Sequence, residues 1–217
     1  MDGTILDNMR FHTEAWMRSL DELGLQRRNP LDWERQTSGT PNHEIFREIL
    51  ELDLDDAGIA YWVERKEELY REVAGPFLAE LDGFSEFLRD ARACGVLLGL
   101  ATGAGPANIE FNLRALQLAD AFDVLVGAAD VVRGKPDPEV FLTSAARLGV
   151  RPDQALVFED APKGIESAAA AGMMVVGVST MLSEEEFWSF DNVRQVISNF
   201  EGLSASDLRL LRFPSHS

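Results

Sequence analysis

The period of the apolar positions changes along this chain. Between residues 9 and 25, Phe11, Trp16, Leu20 and Leu23 recur near helical spacing, and Gly24 ends the run. That pattern predicts an amphipathic helix. Arg27, Arg28 and Pro30 then mark a loop. Residues 42–51 and about 56–74 carry further helical patterns. Asn42 is the expected N-cap of the first, and Gly75-Pro76 closes the second. Residues 9 to 80 thus read as helices, with no strand pattern among them.

After Asp82-Gly83 the character changes. Phe84, Phe87, Leu88 and Ala91 give a helix ended by Gly95, and Val96–Ala101 is a continuous apolar run. Such a run suits a strand covered on both faces. Thr102-Gly103 follows it. A helix at about 106–116, a short strand at about 123–126 and Gly134-Lys135-Pro136-Asp137-Pro138 come next. A helix at about 138–148 leads to strand Ala155–Phe158, with Glu159-Asp160 just past its end. Another helix ends at Gly172, strand Met174–Val178 follows, and Ser183 with Glu186 forms a capping-box pattern. Val193–Ile197 reads as an edge strand and residues 204–211 as a last helix. Strands alternating with helices predict a parallel α/β sheet.

Composition narrows the class. The chain has 217 residues, room for one large domain or a domain with an insertion. Apolar content of 46% and charged content of 26% are ordinary for a globular protein. A net charge of −17 argues against nucleic acid as a partner and suits a cytoplasmic protein. The single cysteine, Cys94, excludes an intrachain disulfide and a cysteine-based zinc cluster, and its expected place is an apolar helix face. No apolar run reaches the roughly 18 residues of a membrane span, so no membrane partner and no secretory signal are expected.

In parallel α/β sheets, ligands bind beyond the carboxyl ends of the strands. Thr102 and Glu159-Asp160 stand at such ends, with Lys135 in a nearby loop. Each has a plainer explanation: a strand-to-helix turn for Thr102, a helix N-cap for the acidic pair, a solvated surface lysine for Lys135. At the start of the chain, Met1-Asp2-Gly3-Thr4-Ile5-Leu6-Asp7-Asn8 contains Asp-Gly, a common turn dipeptide.

Taken together, these stretches resemble the haloacid dehalogenase superfamily. Asp2-Gly3-Thr4 resembles the second half of its first motif, Asp-x-Asp-Gly-Thr, with Met1 at the x. Thr102 resembles the second motif, Lys135 in Gly-Lys-Pro-Asp-Pro the third, and Glu159-Asp160 followed by Ala161-Pro162-Lys163-Gly164-Ile165 the fourth. Order and spacing match over nearly the whole chain. The resemblance implies a Rossmann-like parallel core formed by residues 1–8 and 82–217. It implies an inserted helical cap at 9–81, as in the branch that holds β-phosphoglucomutase and small sugar-phosphate phosphatases.

By the same resemblance, Asp2 is general acid and base. The attacking aspartate would stand immediately before Met1, at the end of an apolar strand. Thr102, Gly103 and Lys135 hold phosphate, and Mg2+ is bound by Asp160, by Glu159 directly or through water, by the backbone carbonyl of Asp2 and by the attacking aspartate. In the cap, His12 and Trp16 resemble positions of the mutase branch. Gly39-Thr40-Pro41-Asn42 corresponds to the loop that senses substrate. Lys66 and Tyr70 keep a Lys-x-x-x-Tyr pattern, which helix-surface residues would explain equally well. The basic residue that mutases carry in the loop is Asn42 here, which tilts the expectation from mutase to phosphatase. The implied partner is a small phosphorylated substrate and the expected state a monomer. Three readings of the half motif stay open: an intact enzyme whose reading frame starts earlier, a non-catalytic relic, and an interaction protein on the same fold.

Overall fold

The computed structural model describes residues 1–37 and 40–208. The chain divides into two compact units, one formed by Met1–Asp7 and the chain from Ala79 onward, the other by Asn8–Leu78. The boundaries thus fall one residue before and three residues before those expected from sequence.

The Asn8–Leu78 unit is helical. Helix α1 (Met9–Glu22) packs on α4 (Asp56–Ala74), with α2 (Pro30–Thr37) and the short α3 (Asn42–Glu44) beside them. Its core joins Trp16, Met17 and Leu20 of α1 to Trp33, Ile45, Phe46 and Ile59. Trp16 meets both Trp33 and Phe46 ring to ring, at 5.5 and 5.0 Å. The sequence pattern missed α2. Pro30 does not mark a loop but opens this helix, where a missing N–H costs nothing. Asn29 caps it, its side chain accepting from the backbone N–H groups of Leu31 and Asp32. Asn42 is not an N-cap. It lies inside α3, which follows Pro41 and continues as a π-helical turn, Ile45–Ile49.

The other unit is an α/β core. Strands β1 (Gly99–Ala101) and β2 (Val124–Val126) pair in parallel, as do β3 (Leu156–Glu159), β4 (Met174–Val178) and β5 (Val193–Ile197) in that order. Helices α5 (Phe84–Ala93), α6 (Pro106–Ala115), α7 (Glu139–Leu148), α8 (Pro162–Ala170), α9 (Glu184–Phe187) and α10 (Ala205–Leu208) complete the unit. One apolar cluster runs under both sets of strands, from Val126 through Val140, Phe141 and Ala145 of α7 to Val157, Ile165 and Val175. Among the described residues, β1 pairs only with β2, and β3 only with β4. Strand β1 is therefore shorter than the apolar run that announced it. Val96 and Leu97 remain 38% and 52% exposed, ahead of the paired segment. The Ser183–Glu186 capping box forms as expected, and Cys94 follows α5, half-buried. The expected last helix is seen as Ala205–Leu208; its remaining positions, 209–211, lie outside the described residues.

The first turn of the chain is held by its own backbone. The N–H groups of Thr4 and Ile5 donate to the Met1 carbonyl, and that of Gly3 to the Leu6 carbonyl. Leu81 N–H donates to the Ile5 carbonyl, tying the start of the chain to the segment that leads into α5.

Candidate active site

The carboxyl ends of β1, β3 and β4 supply most of the site. Two consecutive carboxylates leave β3. Glu159 and Asp160 are 5% and 3% exposed, so both are taken out of water. Lys135 Nζ donates to Glu159 Oε2 at 2.9 Å and lies 4.7 Å from the centroid of the Phe141 ring. Lys135 is therefore no solvated surface lysine. It is held between a buried carboxylate and an aromatic face. Asp160 turns the other way, and its Oδ1 accepts from Thr4 Oγ1 at 2.8 Å.

The Asp2-Gly3 segment lies against Asp160. Gly3 has φ +68, and a Cβ placed on it would stand 2.1 Å from Asp160 Oδ2. Only glycine allows both that backbone turn and that approach. The Gly3 carbonyl accepts from the Thr180 hydroxyl, just past the end of β4. Asp2 Oδ1 accepts a long hydrogen bond, 3.4 Å, from the amide of Asn112, which is 1% exposed on α6. Contacts thus run from Lys135 through Glu159-Asp160 and Thr4 to the Asp2 turn and α6.

Thr102 follows β1 directly and is 4% exposed. Its N–H donates to the Val126 carbonyl, and its Oγ1 accepts from Ala104 N–H at 3.2 Å. The hydroxyl proton remains to be donated. A Cβ on Gly103 or on Gly105 would meet nothing within 4 Å, so the loop is open on that side. Helix α6 begins at Pro106, and a helix N-terminus favours anions.

Burial pushes the Asp160 carboxyl up to about 7, and the charge of Glu159 adds to this; the charge of the Met1 amino group, the Thr4 hydrogen bond and Lys135 oppose it. The two buried carboxylates share one side-chain cation, Lys135, which is bonded to Glu159, so the side-chain charge is net negative where water cannot screen it. A divalent cation fits that deficit. Among the described residues no three His, Cys, Asp or Glu side chains converge. The donors at hand are two carboxylates and neighbouring backbone oxygen. That suits Mg2+, which uses one or two carboxylates and keeps several waters.

The remaining residues singled out from sequence lie in the helical unit. Lys66 Nζ is 2.9 Å from His12 Nδ1 and donates to Glu67 Oε1 at 2.9 Å. His12 stacks on Tyr70 at 3.9 Å, and Tyr70 OH accepts from the Asn8 amide. Lys66 and Tyr70 are 2% and 0% exposed, so the helix-surface explanation fails for both. The Asn42 amide donates to Glu67 Oε1. Thr40 donates its N–H to the Thr37 carbonyl, and Gly39 lies outside the described residues.

Asn112, Thr180 and Gly164 were not singled out for roles. A signal for Asn112 existed: it falls on the same helical face as the apolar Ile109 and Leu113, where an amide is out of place. Thr180 could have been found by its position after a strand, the criterion that found Thr102.

Residues 1–178 match the haloacid dehalogenase-like hydrolase family model. A fructose-1-phosphate phosphatase of Escherichia coli K12 is 35% identical over 178 residues, covering 82% of this chain and 93% of the relative. A β-phosphoglucomutase of Bacillus subtilis 168 is 30% identical over 185 residues, covering 82% of this chain and 80% of the relative. The crystal structure of a family IA, variant 3 HAD hydrolase from Entamoeba histolytica superposes with a TM-score of 0.89, covering 97% of this chain and 96% of its own, at 22% identity, a likeness of fold. A parallel α/β core, a buried acidic pair at the end of β3 with Lys135 beside it, and a family match over most of the length agree: the chain belongs to the haloacid dehalogenase-like hydrolases.

Proposed function

We propose that this protein is a Mg2+-dependent phosphatase acting on a small phosphate monoester such as a sugar phosphate. The observation that carries the reading is the buried Glu159–Asp160 pair at the end of β3, with one lysine side chain, Lys135, bonded to Glu159. Phosphoryl transfer depends chiefly on positioning and on neutralising oxygen charge. Glu159, Asp160 and the backbone carbonyl of Asp2 would hold the cation, which draws negative charge from the transferring group. Lys135 supplies a second positive charge. The Thr102 hydroxyl and the open Gly103 loop provide hydrogen-bond donors for the phosphoryl oxygens. The first aspartate of the resembled motif, Asp-x-Asp-Gly-Thr, would attack the phosphoryl group and form an aspartyl-phosphate. Asp2 gives a proton to the leaving alkoxide, then takes one from the water that attacks the acyl phosphate. The helical unit is the proposed cap, with His12, Gly39, Thr40, Asn42 and Lys66 as its candidate substrate residues. The relatives that act on phosphorylated sugars support the substrate class. The charge of −17 supports a freely dissolved cytoplasmic monomer.

One observation favours a mutase instead: Lys66 holds His12 in a fixed place through Nδ1. Against it, Asn42 is bonded to Glu67 and offers no positive charge. Turnover of a sugar-phosphate panel by the protein expressed from its native locus separates the readings. Phosphate release lost in chelator is expected. Interconversion of glucose phosphates would establish the mutase, and inertness toward the whole panel would leave the binding-protein reading.

On a small substrate, Lys135→Ala is expected to lower kcat/KM by about a hundredfold or more, as for loss of one charge-stabilising donor. Lys66→Ala should cost far less, because Lys66 is committed to Glu67 and His12. Equal losses would show that the helical unit holds the transferred group.

A further inference from the structure

We infer that Gly164 is a positioning residue for Glu159: it reserves the volume that the Glu159 carboxylate fills. The inference rests on the reading of Glu159 and Asp160 as a cation site.

Gly164 lies in the first turn of α8, and its φ is not positive, so its backbone does not require glycine. By helix propensity alone, alanine would serve better there. What alanine cannot do is leave room. A Cβ on Gly164 would stand 1.9 Å from Glu159 Oε1, 2.0 Å from Cδ and 2.5 Å from Cγ. A flexible, exposed glutamate would swing aside at little cost. Glu159 is neither, being 5% exposed with its other oxygen, Oε2, bonded to Lys135 at 2.9 Å. The carboxylate is thus clamped between the α8 backbone and the lysine. Moving it off Gly164 means giving up Lys135 or altering its aim relative to Asp160. The helix that follows the acidic pair therefore sets where the first carboxylate points.

The test is Mn2+ binding to the full chain, measured by electron paramagnetic resonance, for wild type, G164A, E159A and G164A/E159A, with urea unfolding of each. Residues that orient a ligand typically contribute 10- to 100-fold in metal affinity, so G164A should bind Mn2+ at least about tenfold more weakly. Alanine at position 159 ends at Cβ and removes the Oε1, Cδ and Cγ atoms that the new Cβ would meet. In the E159A background, whose own affinity is lower, the same substitution should therefore cost less than about twofold, the range of independent sites. The urea midpoint of G164A should not fall in parallel with the affinity. Equal losses in both backgrounds, or wild-type affinity in G164A, would overturn the inference. So would loss of cooperative unfolding in both G164A and the double variant, which would assign Gly164 to folding. Absence of Mn2+ binding by wild type would remove the cation site itself, and the inference with it.

Discussion

Asp160→Asn is expected to stabilise the cation-free chain at pH 8 and to abolish its response to Mg2+. The Asp160 carboxyl stands at about 7 in the folded chain, well above its ordinary 3.8, chiefly through burial and then through Glu159. Between about pH 4 and pH 7 the folded chain holds a proton that the unfolded chain has released. Its stability therefore falls as pH rises through that window, and above pH 7 the full penalty of a buried charge remains. A displacement of this size corresponds to at most roughly 4 kcal/mol, and a gain of about 2 kcal/mol is the expected yield once relaxation of the site is allowed for. Asparagine keeps an oxygen for the Thr4 hydroxyl and carries no charge. Urea unfolding at pH 5 and pH 8 checks this. The variant should exceed wild type at pH 8, and the gap should close toward pH 5. Mg2+ should raise the wild-type midpoint by mass action and leave the variant unmoved. A variant less stable than wild type at both pH values would mean that the buried charge is already compensated.

Lys135→Ala should act in the opposite direction. It removes the lysine partner of Glu159, whose side chain is 7% exposed, while that of Lys135 is 18% exposed. Breaking a buried pair from one side typically costs about 3–5 kcal/mol, because the remaining charge stays buried without compensation. Partial exposure of the lysine places the expected loss near the lower figure, about 3 kcal/mol. Lys135→Met retains the apolar stem over Phe141 but not the charge, and should lose nearly as much. If the methionine variant kept wild-type stability, packing on Phe141 rather than the ion pair would be what Lys135 contributes. Mg2+ should recover part of the loss in both variants, since a cation at the carboxylates replaces some of the missing charge.

The opposite signs follow from one property of the site, an excess of buried negative charge, and that property was only partly legible in the sequence. The strand-end positions of Thr102 and Glu159-Asp160 were readable, because alternating helical and apolar-run patterns locate strand ends and parallel sheets use those ends. The depth of burial was not. Nothing in the spacing of Lys135 or Lys66 distinguishes a solvated lysine from one enclosed beside a carboxylate. Partners from distant segments were equally hidden: Thr4 reaches Asp160, and Thr180 reaches the Gly3 carbonyl. Pairing across such separations leaves no local period. Local chemistry also misled where one residue has two uses. Pro30 reads as a breaker, yet serves as the first residue of α2, and Asn42 reads as a cap, yet donates to Glu67.

The central claim is that these strand-end residues perform cation-dependent phosphoryl transfer on a small monoester. Its most direct test is inorganic phosphate released from fructose 1-phosphate and other sugar phosphates by the protein expressed from its native locus, with Mg2+ and with EDTA. The account predicts release that requires Mg2+, vanishes in EDTA and returns when Mg2+ is restored. Undiminished release in EDTA would contradict it.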